Sequence, residues 1–97
     1  MKLSKTSINR IKKYLSDKPV KKAYLFGSFV REEADGLSDI DILVELDYSQ
    51  KIGLEFVRMQ LELQELLKRK VDLLSENSIS KYIRPFIDQE KILIYEK

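Results

Sequence analysis

Histidine and cysteine are both absent from this sequence of 97 residues. Without cysteine, the chain can form no disulfide, no thiolate nucleophile and no zinc site built from cysteine ligands. Without histidine, it has no imidazole for acid–base catalysis or for metal binding. Any catalysis must therefore come from carboxylates, hydroxyls, Lys, Arg and bound ions.

Long hydrophobic runs and an excess of one charge are also lacking. No run approaches the ~20 apolar residues of a membrane span, and residues 1–5 lack an apolar stretch of signal-peptide length, so we expect a cytoplasmic protein. The 18 basic and 16 acidic side chains leave a net charge of +2, which does not indicate a dedicated nucleic-acid binder. Length and composition predict one globular domain over residues 1–97.

Hydrophobic periodicity and chain breakers predict helices that alternate with strands. The predicted helices cover residues 7–17, 29–34, 54–70 and 78–90, the predicted strands cover residues 20–26, 40–46 and 71–74, and residues 91–96 form a closing strand or a packed tail. Ser7 is the expected N-cap of the first helix, and Pro85 should kink the last helix or delay its start. This alternation predicts an α/β (α+β) fold in which helices cover a sheet.

Two aspartates flank one apolar residue at the start of the second predicted strand. Side chains alternate between the faces of a strand, so Asp39 and Asp41 should share one face, about 7 Å apart at Cα, while the residues between and after them are buried on the other. Two carboxylates at this spacing can converge on Mg²⁺, which prefers oxygen ligands and also binds substrate phosphates. The plainer interpretation is a turn or a helix cap, where Asp is common.

The pair Gly27-Ser28 lies between a predicted strand and a predicted helix. Backbone N–H groups and a hydroxyl at such a place can hold a phosphate. Arg31 follows, and it could pair either with a triphosphate or with one of the acids within residues 32–35. Ser38 precedes the aspartate pair and could donate a hydrogen bond to a metal-binding carboxylate.

A further acid, Asp72, lies between apolar residues of the third predicted strand. A carboxylate in a buried strand is costly unless it is paired or bound to a cation. Asp72 is therefore the natural third carboxylate of a metal site. The alternative is that it is only the acid of an edge strand.

The arrangement Gly-Ser, ten residues, Asp-x-Asp resembles the signature of the nucleotidyltransferase superfamily that includes DNA polymerase β. The chain length indicates the minimal nucleotidyltransferase (MNT) family, and the resemblance extends over nearly the whole chain. Further matching positions are Arg31, Ser38 and Val71-Asp72-Leu73-Leu74. One departure is Glu32, since many relatives have a glycine after the arginine.

The resemblance implies a small mixed sheet, the palm of polymerase β-like enzymes, and transfer of a nucleotidyl group from ATP. It implies that Asp39, Asp41 and Asp72 bind two Mg²⁺ ions and that Gly27 and Ser28 hold the β- and γ-phosphates. Members of the MNT family are commonly antitoxins paired with a HEPN-type ribonuclease toxin, and the family precedent is transfer of AMP to a tyrosine of that toxin. The alternatives are an antitoxin that acts by binding alone, or transfer to a small molecule or an RNA end with a partner subunit supplying the acceptor site.

Apolar residues of the longest predicted helix, 54–70, cover more than the single stripe that packing on one sheet requires. Leu54, Val57 and Leu61 share one stripe, and Phe56, Met59, Leu63 and Leu66 share another. The excess is either ordinary burial with some exposed leucines or a partner-binding face. We expect a complex with a HEPN-type toxin, and self-association is a further possibility.

Overall fold

The computed structural model describes residues 3–31 and 38–97. The helices are α1 (Lys5–Leu15), α2 (Glu55–Leu67) and α3 (Arg84–Glu90), and the strands are β1 (Val20–Phe26), β2 (Ile40–Leu46), β3 (Val71–Ser75) and β4 (Ile92–Glu96). Two short 3₁₀ turns, Gly27–Phe29 and Glu76–Ser78, follow β1 and β3. None of the helices in these two ranges has both the length and the apolar character needed to cross a membrane.

The four strands form one sheet in the order β3-β2-β1-β4. β1 runs antiparallel to both β2 and β4, whereas β2 and β3 are parallel. The parallel pair needs a crossover connection, and α2 supplies it. The sheet is therefore mixed and covered by helices, which confirms the predicted fold class, and residues 92–96 are its closing strand.

The main core lies on the sheet face covered by α1 and α2. Ile40, Ile42 and Val44 point to this face and are fully buried or nearly so, as the alternation of β2 predicts. Ile11 and Leu15 of α1 and Met59 and Leu63 of α2 pack against the sheet with no exposed surface. Burial of these apolar side chains supplies most of the favourable free energy of folding.

A second, smaller cluster covers the opposite face. Phe26 and Leu43 on the sheet contact Ile87 of α3. Because α3 has only seven residues, it covers part of this face and leaves an open cleft beside it. The acidic residues of β2 and β3 point to the same face.

Several helix boundaries differ from the sequence prediction. Ser7 as the N-cap of the first helix is wrong: α1 begins at Lys5, and the Ser4 side chain accepts a hydrogen bond from the Ser7 N–H at 3.1 Å. Two serines three residues apart can both cap a helix, and periodicity alone does not separate them. The long helix is shorter than predicted because Lys68 adopts a left-handed conformation, with φ 55°, and ends it.

The last predicted helix, 78–90, is helical only from Arg84. Pro85 occupies the first turn of α3, where its missing N–H costs nothing, so its role is to start the helix late. The helix predicted at 29–34 also differs from the structure, in which Gly27–Phe29 forms a 3₁₀ turn. Residues 32–34 of that prediction lie outside the described residues.

Candidate active site

The central carboxylates are brought together by strand register. Asp41 is paired with Asp72 across the parallel strands β2 and β3. Paired residues of neighbouring strands point to the same face, with backbones about 4.8 Å apart. On its other side Asp41 is paired with Phe26, the last residue of β1. The register therefore places Asp41 between Asp72 and the Gly27 turn.

Asp39 lies just before β2, beside the connection between α2 and β3. Its Oδ2 is 3.8 Å from the Lys70 Nζ. The backbone of this segment is held on both sides: Ile40 N–H donates to the Lys70 carbonyl at 3.0 Å, and Arg69 Nη1 donates to the Ser38 carbonyl at 3.1 Å. Ser38 and Asp39 are thus fixed beside the sheet edge by residues of the α2–β3 connection.

Within residues 3–31 and 38–97, no three carboxylates are close enough together to share one metal ion. The backbone brings Asp39, Asp41 and Asp72 to one end of the sheet, but their oxygens do not converge. Like charges repel one another in the absence of a cation, and Asp39 has Lys70 as an alternative partner. The donor set consists of hard oxygen ligands, which suits Mg²⁺, and rotation of the side chains would be needed to close the site.

The ionisation of Asp41 reflects its partial burial and the charges around it. Partial burial, with the charges of Asp72 and Asp39, raises the pKa of Asp41 to about 6, although the Arg31 charge acts in the opposite direction. A carboxyl group with this environment is stabilised either by a proton or by a bound cation. The electrostatics therefore favour a cation at this position.

The structure does not support the reason for which the sequence predicted Asp72 as a metal ligand. It was predicted as an acid in a buried strand, but β3 is an edge strand and the Asp72 side chain is exposed. The cost of burial is therefore not what marks this residue. Its relevance comes from the parallel register with Asp41, which can be known only once the strands are paired.

Gly27 makes the closest backbone approach to the acids. Its φ is +80°, in the left-handed region, and a Cβ atom placed on it would lie 2.1 Å from Asp41 Oδ2. Only glycine satisfies both conditions without strain. Ser28 follows in the same 3₁₀ turn, and the turn and the Asp41 carboxylate form one continuous surface.

Glu90, which was not predicted from the sequence as a site residue, also lies at this surface. Glu90, the last residue of α3, accepts a hydrogen bond from Gly27 N–H at Oε1, at 2.8 Å. Arg31 Nη1 contacts both of its carboxylate oxygens, at 3.1 and 2.9 Å. The neighbouring acids at 32–35 lie outside the described residues. Glu90 is 63 residues from Gly27 along the chain, and no local pattern links the two.

An open cleft of about 810 Å³ runs along this surface, between α3 and the sheet. Its polar part is formed by Gly27, Arg31, Asp41 and Glu90, and its apolar part by side chains that include Leu74, Ile83 and Phe86. A binding site of this size, with polar groups at one end and an apolar wall, suits a ligand with a charged part and an aromatic part.

The chain matches the family model described as polymerase β nucleotidyltransferase over residues 9–97. The chain belongs to this family. It is therefore a nucleotidyltransferase, and the resemblance seen in the sequence is confirmed.

This nucleotidyltransferase is 40 % identical, over 90 residues, to a candidate protein adenylyltransferase of Methanocaldococcus jannaschii, and the alignment covers 89 % of this chain and 96 % of that protein. It is 33 % identical, over 75 residues, to the protein adenylyltransferase MntA of Thermococcus cleftensis, covering 77 % of this chain and 75 % of that one.

Solved structures agree with the fold. A toxin–antitoxin crystal structure with AMP-PNP has a TM-score of 0.79 at 25 % identity, covering 93 % of this chain and 73 % of that chain. A candidate minimal nucleotidyltransferase has a TM-score of 0.74 at 29 % identity, covering 95 % of both chains.

The contact between Gly27 and Asp41 gives a first prediction. Gly27→Ala adds a methyl group that must displace the Asp41 carboxylate, so ATP binding measured by calorimetry should weaken at least about tenfold. Gly53→Ala is the matched control, since Gly53 also has positive φ but nothing lies within 4 Å of its Cβ position. ATP affinity that falls equally in both variants would contradict a specific role for Gly27.

The raised pKa of Asp41 gives a second prediction, for the metal-free protein. As pH falls, Asp41 takes up a proton at about pH 6 in the folded chain and only at about pH 4 in the unfolded chain. Protonation of Asp41 therefore favours folding at low pH, and this contribution to stability is lost as pH rises through 6. Asp41→Asn should therefore stabilise the fold at pH 8, by about 1–2 kcal/mol once solvent screening is allowed for, and have little effect at pH 4.

Chemical denaturation in the presence of a chelator measures this difference. Asp47→Asn is the control of opposite sign, because hydrogen bonds from Ser49 and Gln50 lower the pKa of Asp47. The contribution of Asp47 to the stability of the fold is therefore present above its unfolded pKa and disappears as pH falls. Equal effects of Asp41→Asn at pH 4 and pH 8 would contradict a raised pKa of Asp41 in the folded chain.

Proposed function

We propose that this nucleotidyltransferase is the antitoxin of a toxin–antitoxin pair and transfers AMP from ATP to a tyrosine hydroxyl of a HEPN-type toxin. Relatives that share more than 30 % of their residues with it are named as protein adenylyltransferases. One similar structure is a toxin–antitoxin complex with the ATP analogue AMP-PNP. We further propose that residues 1–97 act as a single transferase domain.

The observation that carries this proposal is the cleft that joins the Gly27 turn to Asp41, the carboxylate paired with Asp72. Its polar end offers a backbone N–H group, a guanidinium and carboxylates, and its wall offers Phe86 and Ile83. We place the triphosphate at the polar end and the base against the apolar wall. An aromatic side chain beside a nucleotide base is a favourable arrangement because the flat surfaces can stack.

Two Mg²⁺ ions are part of the proposal, with Asp39, Asp41 and Asp72 as their protein ligands. When bound, such ions neutralise phosphate charge and stabilise the attacking and leaving oxygens. The residues fit this role because all three supply oxygen, and because Asp41 is partly buried beside two other carboxylates, an environment that favours a cation.

The remaining residues bind and orient the reactants. Gly27 N–H, the Ser28 hydroxyl and Arg31 hold the β- and γ-phosphates, and Ser38 supports the carboxylate of Asp39. The acceptor hydroxyl oxygen attacks the α-phosphorus of ATP. The bond between the α-phosphorus and the oxygen that bridges to the β-phosphate breaks, and pyrophosphate leaves. Asp72 is exposed at the edge of the sheet, so it can receive the hydroxyl proton of an acceptor that approaches from solvent.

The outer stripe of α2, formed by its N-cap residue Leu54 with Val57 and Leu61, is the surface we propose for the stable contact with the toxin. These side chains are 81, 56 and 58 % exposed, whereas Met59 and Leu63 on the inner stripe are fully buried. A contiguous exposed apolar stripe is typical of an interface. The structure thereby separates the two stripes that sequence periodicity leaves equivalent.

A transfer assay tests the reaction directly. The wild-type chain, incubated with labelled ATP, Mg²⁺ and the toxin encoded beside it, should add AMP to a tyrosine identified by mass spectrometry. Asp41→Asn and Asp72→Asn should each reduce the rate at least about 100-fold, because each removes a charged group from the reacting centre, while Asp47→Asn should be active. A toxin silenced by Asp41→Asn without added AMP would instead indicate inhibition by binding alone.

The α2 stripe gives a separate prediction about assembly. Leu61→Glu places a charge in the proposed interface and should abolish co-purification of the toxin, while the free energy of unfolding changes by no more than about 0.5 kcal/mol because the site is exposed. Asn9→Glu, on the exposed surface of α1, adds the same single charge and is the matched control. A toxin complex that survives Leu61→Glu unchanged would exclude this stripe as the interface.

A further inference from the structure

The Glu90 carboxylate lies where the proposed function places phosphate oxygens. Its Oε1 accepts the Gly27 N–H at 2.8 Å, and its two oxygens accept from Arg31 Nη1. The side chain is only 22 % exposed, so it is packed into the cleft. A carboxylate and a phosphate are both anions that accept hydrogen bonds in this geometry, and both match a guanidinium.

We propose that Glu90 is an internal competitor for the triphosphate: its carboxylate holds the Gly27 turn and Arg31 until the β- and γ-phosphates displace it. The inference deepens the proposed function and rests on it, since it takes the Gly27 turn as the phosphate site. Glu90 then lowers the affinity for ATP. It also assists release of pyrophosphate, because the carboxylate returns to the same donors as the product leaves.

The surroundings of Glu90 make its displacement easy. It is the last residue of α3, and a negative charge at the C-terminal end of a helix is unfavourable. Asp41, another carboxylate, borders the same cleft and is close enough to interact electrostatically with Glu90. Rotation about the side-chain bonds of Glu90 frees the site without a change in the backbone.

Other contacts hold α3 in place, so the fold does not depend on Glu90. Ile87 is 3 % exposed and packs in the second core cluster. Arg84 and Lys91, at the two ends of α3, both form ion pairs with Glu76, at 3.0 and 3.8 Å. The Glu90 carboxylate can therefore leave the turn while the helix stays docked.

Glu90→Gln tests the competition, because it keeps the shape of the side chain and removes the charge. Calorimetry on the full chain should show ATP with Mg²⁺ and inorganic pyrophosphate each binding about tenfold more tightly. AMP carries no β- or γ-phosphate and serves as the matched ligand, with an expected change of less than about twofold. In the transfer assay KM for ATP should fall and pyrophosphate should become a stronger inhibitor.

Asp88→Asn is the matched variant: it removes the same charge from the same helix at a residue that pairs with Lys91, and its ATP affinity should equal that of wild type. Glu90→Ala provides a second test if the amide of Glu90→Gln still occupies the Gly27 N–H. Unchanged or weaker ATP and pyrophosphate binding in both Glu90 variants would overturn the competition and leave Glu90 as a structural contact. Absence of ATP binding in wild type and in both Glu90 variants would instead overturn the proposed function.

Discussion

The close approach of Gly27 to Asp41 is the constraint on which the rest of the cleft depends. No side chain fits at position 27, because its Cβ would meet the Asp41 carboxylate. The approach places the backbone N–H of the turn beside a carboxylate that is itself paired with Asp72. A phosphate held by the turn would therefore lie next to the residues proposed to bind its counter-ions.

The negative charge gathered at this end of the sheet explains the arrangement of the basic residues around it. Arg31 pairs with Glu90, and Lys70 pairs with Asp39. These pairs are partly exposed and contribute little to stability by themselves. The charges of Arg31 and Lys70 offset part of the negative charge of Glu90 and Asp39.

Much of the fold could be predicted from local sequence. The alternation of β2 predicts which of its residues are buried, and Ile40, Ile42 and Val44 confirm it. The first N-cap and the start of the last helix could not be predicted as well, because two serines compete for one cap and because Pro85 can either kink a helix or begin one. Asp72 was selected for a reason that the structure contradicts, since its side chain is exposed.

The sequence by itself determined the strands, the two longer helices, the α/β class and the family, because hydrophobic period, turn residues and a Gly-Ser…Asp-x-Asp spacing are local properties of the chain. Only the tertiary structure decided which residues meet. Strand register sets Asp41 beside Asp72, the packing of α3 brings Glu90 to Gly27, and the docking of α2 separates its buried stripe from its exposed one. These relations join residues far apart in the chain, and their energies arise only when the sheet and its helices pack together.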